Sequence, residues 1–196
     1  MLASLQMTWE GRFVDQVAAA MKRARGRRSA RELSEETDGI GYHRSKQVIG
    51  KLDSGGRDLR VAEFLVFAAA LDVPPALLLF GGYPDGVVEY LPGRECTSKQ
   101  AVDWFSGAGL LPTGPDEEPA RGNTGTDLVA AVARHSEKTA KFIDLTAMVR
   151  AGDVAEDLAA ERREQLITEL TQLAMQINDL KSILEIEKPR VPTNHH

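Results

Sequence analysis

One cysteine, Cys96, stands among 196 residues, which excludes an internal disulfide framework and any cysteine-rich zinc site. Its expected role is that of a small, half-buried side chain. Aromatic residues make up only 6% of the chain, a scarcity that suits packed helices. No apolar run reaches the roughly 20 residues that a membrane helix needs. The most apolar window, residues 61–82, is interrupted by Glu63, Asp72 and the pair Pro74–Pro75, and reads as two core helices. The start, MLASLQMTWE, lacks the basic segment and apolar run of a secretory leader. A cytoplasmic protein with no membrane partner is therefore expected. Histidines are few and scattered: His43 and His135 lie far apart, and His195–His196 sit on a polar tail. No metal site and no cofactor is expected of them. A nucleophile with its base, a paired-carboxylate cleft and a phosphate-binding glycine loop are all missing, so no catalytic residue is named.

Charge is present but unevenly placed. The formal net charge is -5, an unpromising sign for a partner made of phosphates. Residues 1–83, however, hold 12 Lys and Arg against 10 Asp and Glu, and residues 84–196 hold 12 against 19. Within 22–60 the basic surplus rises to 11 against 6. Screening over about 8 Å makes the local field the relevant one, so the overall sign does not veto DNA.

The most informative stretch is 29–55. Ser29 followed by Glu32 is a capping box that starts a short helix with Leu33 facing inward, ended by Asp38 and Gly39. Ser45 is a candidate N-cap for a second helix striped by Val48, Ile49 and Leu52 and closed by Gly55. Its outward positions are Arg44, Lys46, Gln47, Gly50 and Lys51. Two short helices joined by a glycine-bearing turn, the second basic on its outer side, make the helix-turn-helix pattern of a DNA reader.

The stretch from about Trp9 to Phe80 resembles the lambda-repressor-like helix-turn-helix family (the Cro and xenobiotic-response-element type), in the form common in actinobacteria and their phages. The matching pieces are Ser29-Ala-Arg-Glu-Leu33, Ser45 to Gly55, Val61 to Leu71, and Val73-Pro-Pro-Ala-Leu-Leu-Leu79. Residues 87–107, VVEYLPGRECTSKQAVDWFSG, resemble a tail found in those members. Two departures stand out. The connection DGIGYHR is longer than the family's tight turn, and Asp53 replaces its usual Glu, with the poor helix former Gly50 three residues before it. The resemblance implies a five-helix DNA-binding domain. Lys46, Gln47, Gly50 and Lys51 would face bases, and Arg28, Ser29, Arg31, His43, Arg44 and Ser45 would hold the DNA backbone.

Along the chain, residues 8–25 read as a first helix capped by Thr8, with Phe13, Val17, Met21 and Ala24 on one face. Its end, Lys22 to Arg28, carries five basic residues in seven. That cluster suits a solvated helix end or phosphate contacts equally. Ala62, Leu65, Val66, Ala69 and Ala70 make helix 61–71 apolar over most of its circumference and place it in the core. The expected domains are 8–83 for the DNA-binding globule and 84–109 for a small appendage. In the appendage, Val87–Leu91 is the only strand-like run and Ser98 caps a helix; Trp104 and Phe105 fit a protein-binding patch or packing onto the globule, and packing is favoured. Residues 110–125, LLPTGPDEEPARGNTG, read as a flexible linker.

Residues 126–188 form the second expected module: a helix from Thr126 to about Val149, then another capped by Asp153 with Glu156. In the latter, Leu166, Leu170, Leu173, Ile177, Leu180 and Leu184 keep a seven-residue repeat. Pairing between chains and a hairpin within one chain both fit this seam; an oligomerisation module built from both helices is favoured. Residues 189–196 read as a disordered tail.

Ala151–Gly152, with Lys181 and Ser182 downstream, carries the dipeptide and residue types of self-cleaving repressors. The two downstream residues are adjacent on a seam helix, and too few strand-formers remain for a peptidase sheet, so self-cleavage is rejected. The expectation is an all-α, dimeric, nucleoid-associated regulator of transcription that binds double-stranded DNA. A repressor of phage-immunity or xenobiotic-response type is favoured. The competing expectation is an antitoxin or adaptor acting on a protein partner through residues 126–188.

Overall fold

A computed structural model describes residues 8–54, 59–114 and 117–187. Gly55 as a helix terminator, the tail 189–196 and the two terminal histidines lie outside the described residues. The chain is mostly helical and divides into two compact units, residues 1–120 and 121–196. No helix among the described residues is long and apolar enough to cross a membrane.

The first unit begins with α1 (Trp9–Arg25), where the Thr8 hydroxyl accepts a hydrogen bond from the Gly11 amide. Val17 and Met21 are buried one turn apart, as their spacing requires. Four helices follow: α2 (Ala30–Gly39), α3 (Lys46–Asp53), α4 (Val61–Leu71) and α5 (Pro75–Leu79). Pro75 occupies the first helical position of α5, where its missing N–H costs least. Leu33, Ile49, Leu52, Phe64, Phe67, Leu71 and Leu78 meet in one core with the inner face of α1.

Helix α4 buries a different stripe from the expected one. Phe64, Phe67, Ala68 and Leu71 point inward together with Glu63, while Ala62, Leu65 and Ala69 face solvent. A helix apolar all round does not reveal which stripe is buried. Here the two phenylalanines win the core, because they remove the most apolar area from water.

Beyond α5 comes a β-hairpin of β1 (Val87–Leu91) and β2 (Arg94–Thr97), turning at Pro92–Gly93. The second strand was not expected, since Arg94-Glu-Cys-Thr97 carries too little apolar alternation to show itself. Glu89 fastens the hairpin to α1. Its carboxylate accepts from the Gly93 amide at 2.9 Å and from the Arg12 guanidinium at 2.8 Å, which together hold it below the ordinary carboxylate range. Helix α6 (Ser98–Ser106) is capped by Thr97 rather than Ser98, in a box with Gln100. Ser98 is buried, and its hydroxyl donates to the Phe80 carbonyl. Phe80, Val88, Tyr90 and Ala101 form a second cluster that shares Phe13 and Leu79 with the flank of the first. The appendage is thus packed into the first unit. Cys96 is half-buried there, and burial raises its thiol pKa.

The expected linker is partly fastened down. Tyr90 donates to the Pro112 carbonyl at 2.5 Å, Leu111 joins the second cluster, and Arg94 pairs with Glu117 at 2.9 Å.

The second unit is a helical hairpin of α7 (Thr124–Ala151) and α8 (Glu156–Glu187). Helix α7 starts two residues before the expected Thr126, because Asn123 takes the cap and Thr126 closes the box as its third residue. Leu166 and Leu173 are buried, and Leu170, Ile177, Leu180 and Leu184 are half-buried. All six residues of the seam that was favoured for pairing between chains are therefore spent inside one chain, against α7.

Candidate functional site

Helices α2 and α3 and the six residues between them carry most of the residues singled out in the sequence. The capping box of α2 is complete: the Ser29 hydroxyl accepts from the Glu32 amide at 3.2 Å, and the Ser29 amide donates to the Glu32 carboxylate. That second bond is the leading reason why the Glu32 carboxyl lies below its ordinary value. The chain leaves α2 through Gly41 at φ +85°, a left-handed position that suits glycine.

The longer connection is bonded from inside. Thr37, fully buried, accepts the Arg44 amide on its hydroxyl at 3.3 Å, and its carbonyl accepts the Tyr42 amide at 3.0 Å. The Arg44 side chain then turns inward. Its Nε donates to Glu63 at 2.6 Å, its terminal nitrogens donate to the His43 carbonyl and the Tyr42 hydroxyl, and its guanidinium lies 4.0 Å from the Tyr42 ring centroid. Glu63 is 1% exposed. A buried carboxylate is tolerable only with partners of this kind.

Arg44, expected on the DNA backbone, is therefore part of the scaffold. Arg28 is held more loosely: its guanidinium donates to Glu36 at 3.1 Å and to the Ala70 carbonyl at 3.4 Å, while its side chain stays 35% exposed. Both placements have one cause. A sequence shows how many cations a segment carries, but not which of them a neighbouring acid draws inward.

At the far end of α3, Asp53 pairs with Arg25 at 2.7 Å, tying α3 to α1. Between these anchors α3 buries Ile49 and Leu52 and exposes Lys46, Gln47, Gly50 and Lys51 together. Space beside Gly50 is open, with no atom near where a Cβ would sit. Ser45 holds the N-cap position with extended backbone, but its side chain makes no capping hydrogen bond, contrary to expectation. His43 is exposed, with Nδ1 3.4 Å from the Asp38 carboxylate. Arg31 is 81% exposed and pairs along α2 with Glu35, which raises its pKa. Lys22 and Arg27 also remain exposed.

The exposed face thus offers ammonium, guanidinium and amide donors around a shallow glycine notch. Among the described residues, no group of three or more His, Cys, Asp or Glu could hold a metal ion. Reasoning from sequence missed the tie of Arg44 to Tyr42 and Glu63 that fixes the start of α3. The available signal was an acid set in the middle of VAEFLVFAAA, which needs a buried partner. No family model, curated protein or solved structure matches the chain.

Proposed function

We propose that the protein is a sequence-specific regulator of transcription, of repressor type, that reads double-stranded DNA with α3 as the second helix of a helix-turn-helix unit. The observation that carries this reading is the two-sidedness of α3. Ile49 and Leu52 are buried, Lys46, Gln47, Gly50 and Lys51 are exposed together, and ion pairs anchor both ends of the helix. Eight residues at about 1.5 Å each give a rod roughly 12 Å long, a size that the major groove admits.

In this reading Lys46 and Lys51 donate to guanine O6 and N7, Gln47 pairs with adenine, and Gly50 lets the helix approach the base edges. Arg31, His43 and the uncapped Ser45 hydroxyl serve the phosphates, joined by Arg27; Ser29 contributes through its place at the N-terminus of α2. One such helix covers few base pairs, so two copies of the chain would read half-sites about 34 Å apart.

The test is to sequence the genomic fragments that the purified chain retains, then to titrate the recovered site. Gln47→Ala or Lys51→Ala should weaken that site by about 1–3 kcal/mol and leave random DNA nearly unchanged. Equal losses on both DNAs would remove α3 as the reader, and the absence of any enriched fragment would remove the function.

A further inference from the structure

The hairpin of α7 and α8 cannot bury its own apolar surface. Of its described residues only Ala131, Ala159, Leu166 and Leu173 are buried, while Val132, Ile143 (59%) and Ile167 (52%) stand open. Two helices make a single layer, and an apolar layer needs a second one to cover it.

The open residues are not scattered. Positions 128, 131, 135, 138, 142, 145 and 149 of α7 are buried or half-buried, as are 159, 163, 166, 170, 173, 177, 180 and 184 of α8, so these form the seam between the two helices. Antiparallel helices are related by an approximate two-fold axis normal to the pair. The residues that follow seam positions therefore lie on the same broad face in both helices. On α7 these are 129, 132, 136, 139, 143 and 146, all uncharged, and then Arg150 at the end of the helix. On α8, positions 167, 171, 174 and 178 in the middle are uncharged as well, and Glu164 on one side and Lys181 and Glu185 on the other form a charged rim. The residues that precede seam positions occupy the opposite face and include Arg134, Glu137, Lys141, Arg162, Glu169 and Asp179. The Lys138–Glu169 ion pair marks that charged side.

We infer that the uncharged face, centred on Val129, Val132, Ile143, Ile167, Thr171 and Ala174, packs against the same face of a second copy to make a four-helix bundle. A second copy fits on two counts. A face with no charge in its middle offers nothing for an oppositely charged partner to recognise, yet it is complementary to itself under a two-fold rotation. The whole broad side of the hairpin, charged rim included, is about 40 Å long and about 20 Å wide, roughly the 800 Å² that each partner of a standard stable interface buries, with the uncharged residues at its centre and charges at its ends. The proposed reading of DNA gives this pairing its purpose, since it joins two copies of α3; the surface itself gives it its grounds.

Sedimentation equilibrium on the full chain, without DNA and across the micromolar range, is the test. The wild type should be a dimer; a monomer throughout would overturn the inference. Ile143→Glu with Ile167→Glu should weaken association by about 100-fold or more, because four charges are forced into one apolar interface. Met148→Glu, on the charged side, should dimerise as the wild type does. Equal weakening by both, or persistence of the dimer in the double variant, would also overturn it. Should the double variant lose helix by circular dichroism, Ile143→Ala with Ile167→Ala replaces it, with an expected weakening of about tenfold. Retention of DNA is scored separately, so a dimer that ignores DNA sinks the functional proposal alone, and a monomer that retains specific DNA sinks the interface alone.

Discussion

Removing Arg44 should destabilise the first unit rather than merely weaken a surface contact. Its guanidinium nitrogen lies 2.6 Å from a carboxylate that is 1% exposed, and two further donors fix Tyr42 and the His43 carbonyl. Deleting one partner of a buried pair typically costs about 3–5 kcal/mol. Arg44 itself is 26% exposed and Glu63 keeps other interactions, so the low end applies, about 3 kcal/mol for Arg44→Ala. For a unit of this size that corresponds to a drop in Tm on the order of 10 °C. Urea denaturation followed by tryptophan fluorescence reads it cleanly. Both tryptophans, Trp9 and Trp104, belong to the first unit, Trp9 tilted on Phe13 and Trp104 edge-on to Tyr90, so the hairpin does not contribute. Arg44→Met with Glu63→Leu, which replaces the whole pair by apolar groups, should recover at least half of the loss. A change below about 0.5 kcal/mol for Arg44→Ala, the size of an ordinary surface substitution, would refute the scaffold role and return Arg44 to the surface.

Ser29→Ala should destabilise α2 by about 1 kcal/mol, measured in the same urea titration. The folded-state pKa of Glu32 is depressed, so its contribution is present above the ordinary carboxyl value of 4.5 and is lost as pH falls below it; Glu32→Gln should flatten the acid limb of a stability profile there. Gly50→Ala should stabilise the first unit by about 0.5–1 kcal/mol, since the added methyl meets open space inside a helix, while binding to a recovered DNA site falls if the notch admits a base edge. Leu173→Ala should cost the hairpin about 2–4 kcal/mol, read as lost helical signal at 222 nm with tryptophan fluorescence unchanged.

Much of the architecture could be read from local signals. The box at Ser29 and Glu32, the cap at Thr8 and the spacing of Phe13, Val17 and Met21 each depend on residues within a turn or two, and sequence displays these directly. Strand β2 escaped because its pairing partner supplies what its composition lacks. The buried face of α4 and the acid partners of Arg28 and Arg44 escaped for a related reason. Each is decided by a residue distant in sequence, Glu36 for Arg28 and Glu63 for Arg44, and a count of cations cannot show it. The seam of α8 could be read as a repeat, but its partner could not, because the same spacing serves a helix of the same chain or of another.

The division of labour across α3 has a consequence for how such a chain can change over generations. The residues that hold the helix in place, Arg44, Ile49, Leu52 and Asp53, do not overlap with Lys46, Gln47, Gly50 and Lys51 on its outer side. Substitutions at the outer four touch no core contact and no anchoring ion pair, so they should alter stability by only about 0.5 kcal/mol, apart from the gain at Gly50. Mutation can therefore explore many versions of this face while folding stays intact. Within a lineage, the outer side of α3 is free to diverge quickly, and its mounting is not.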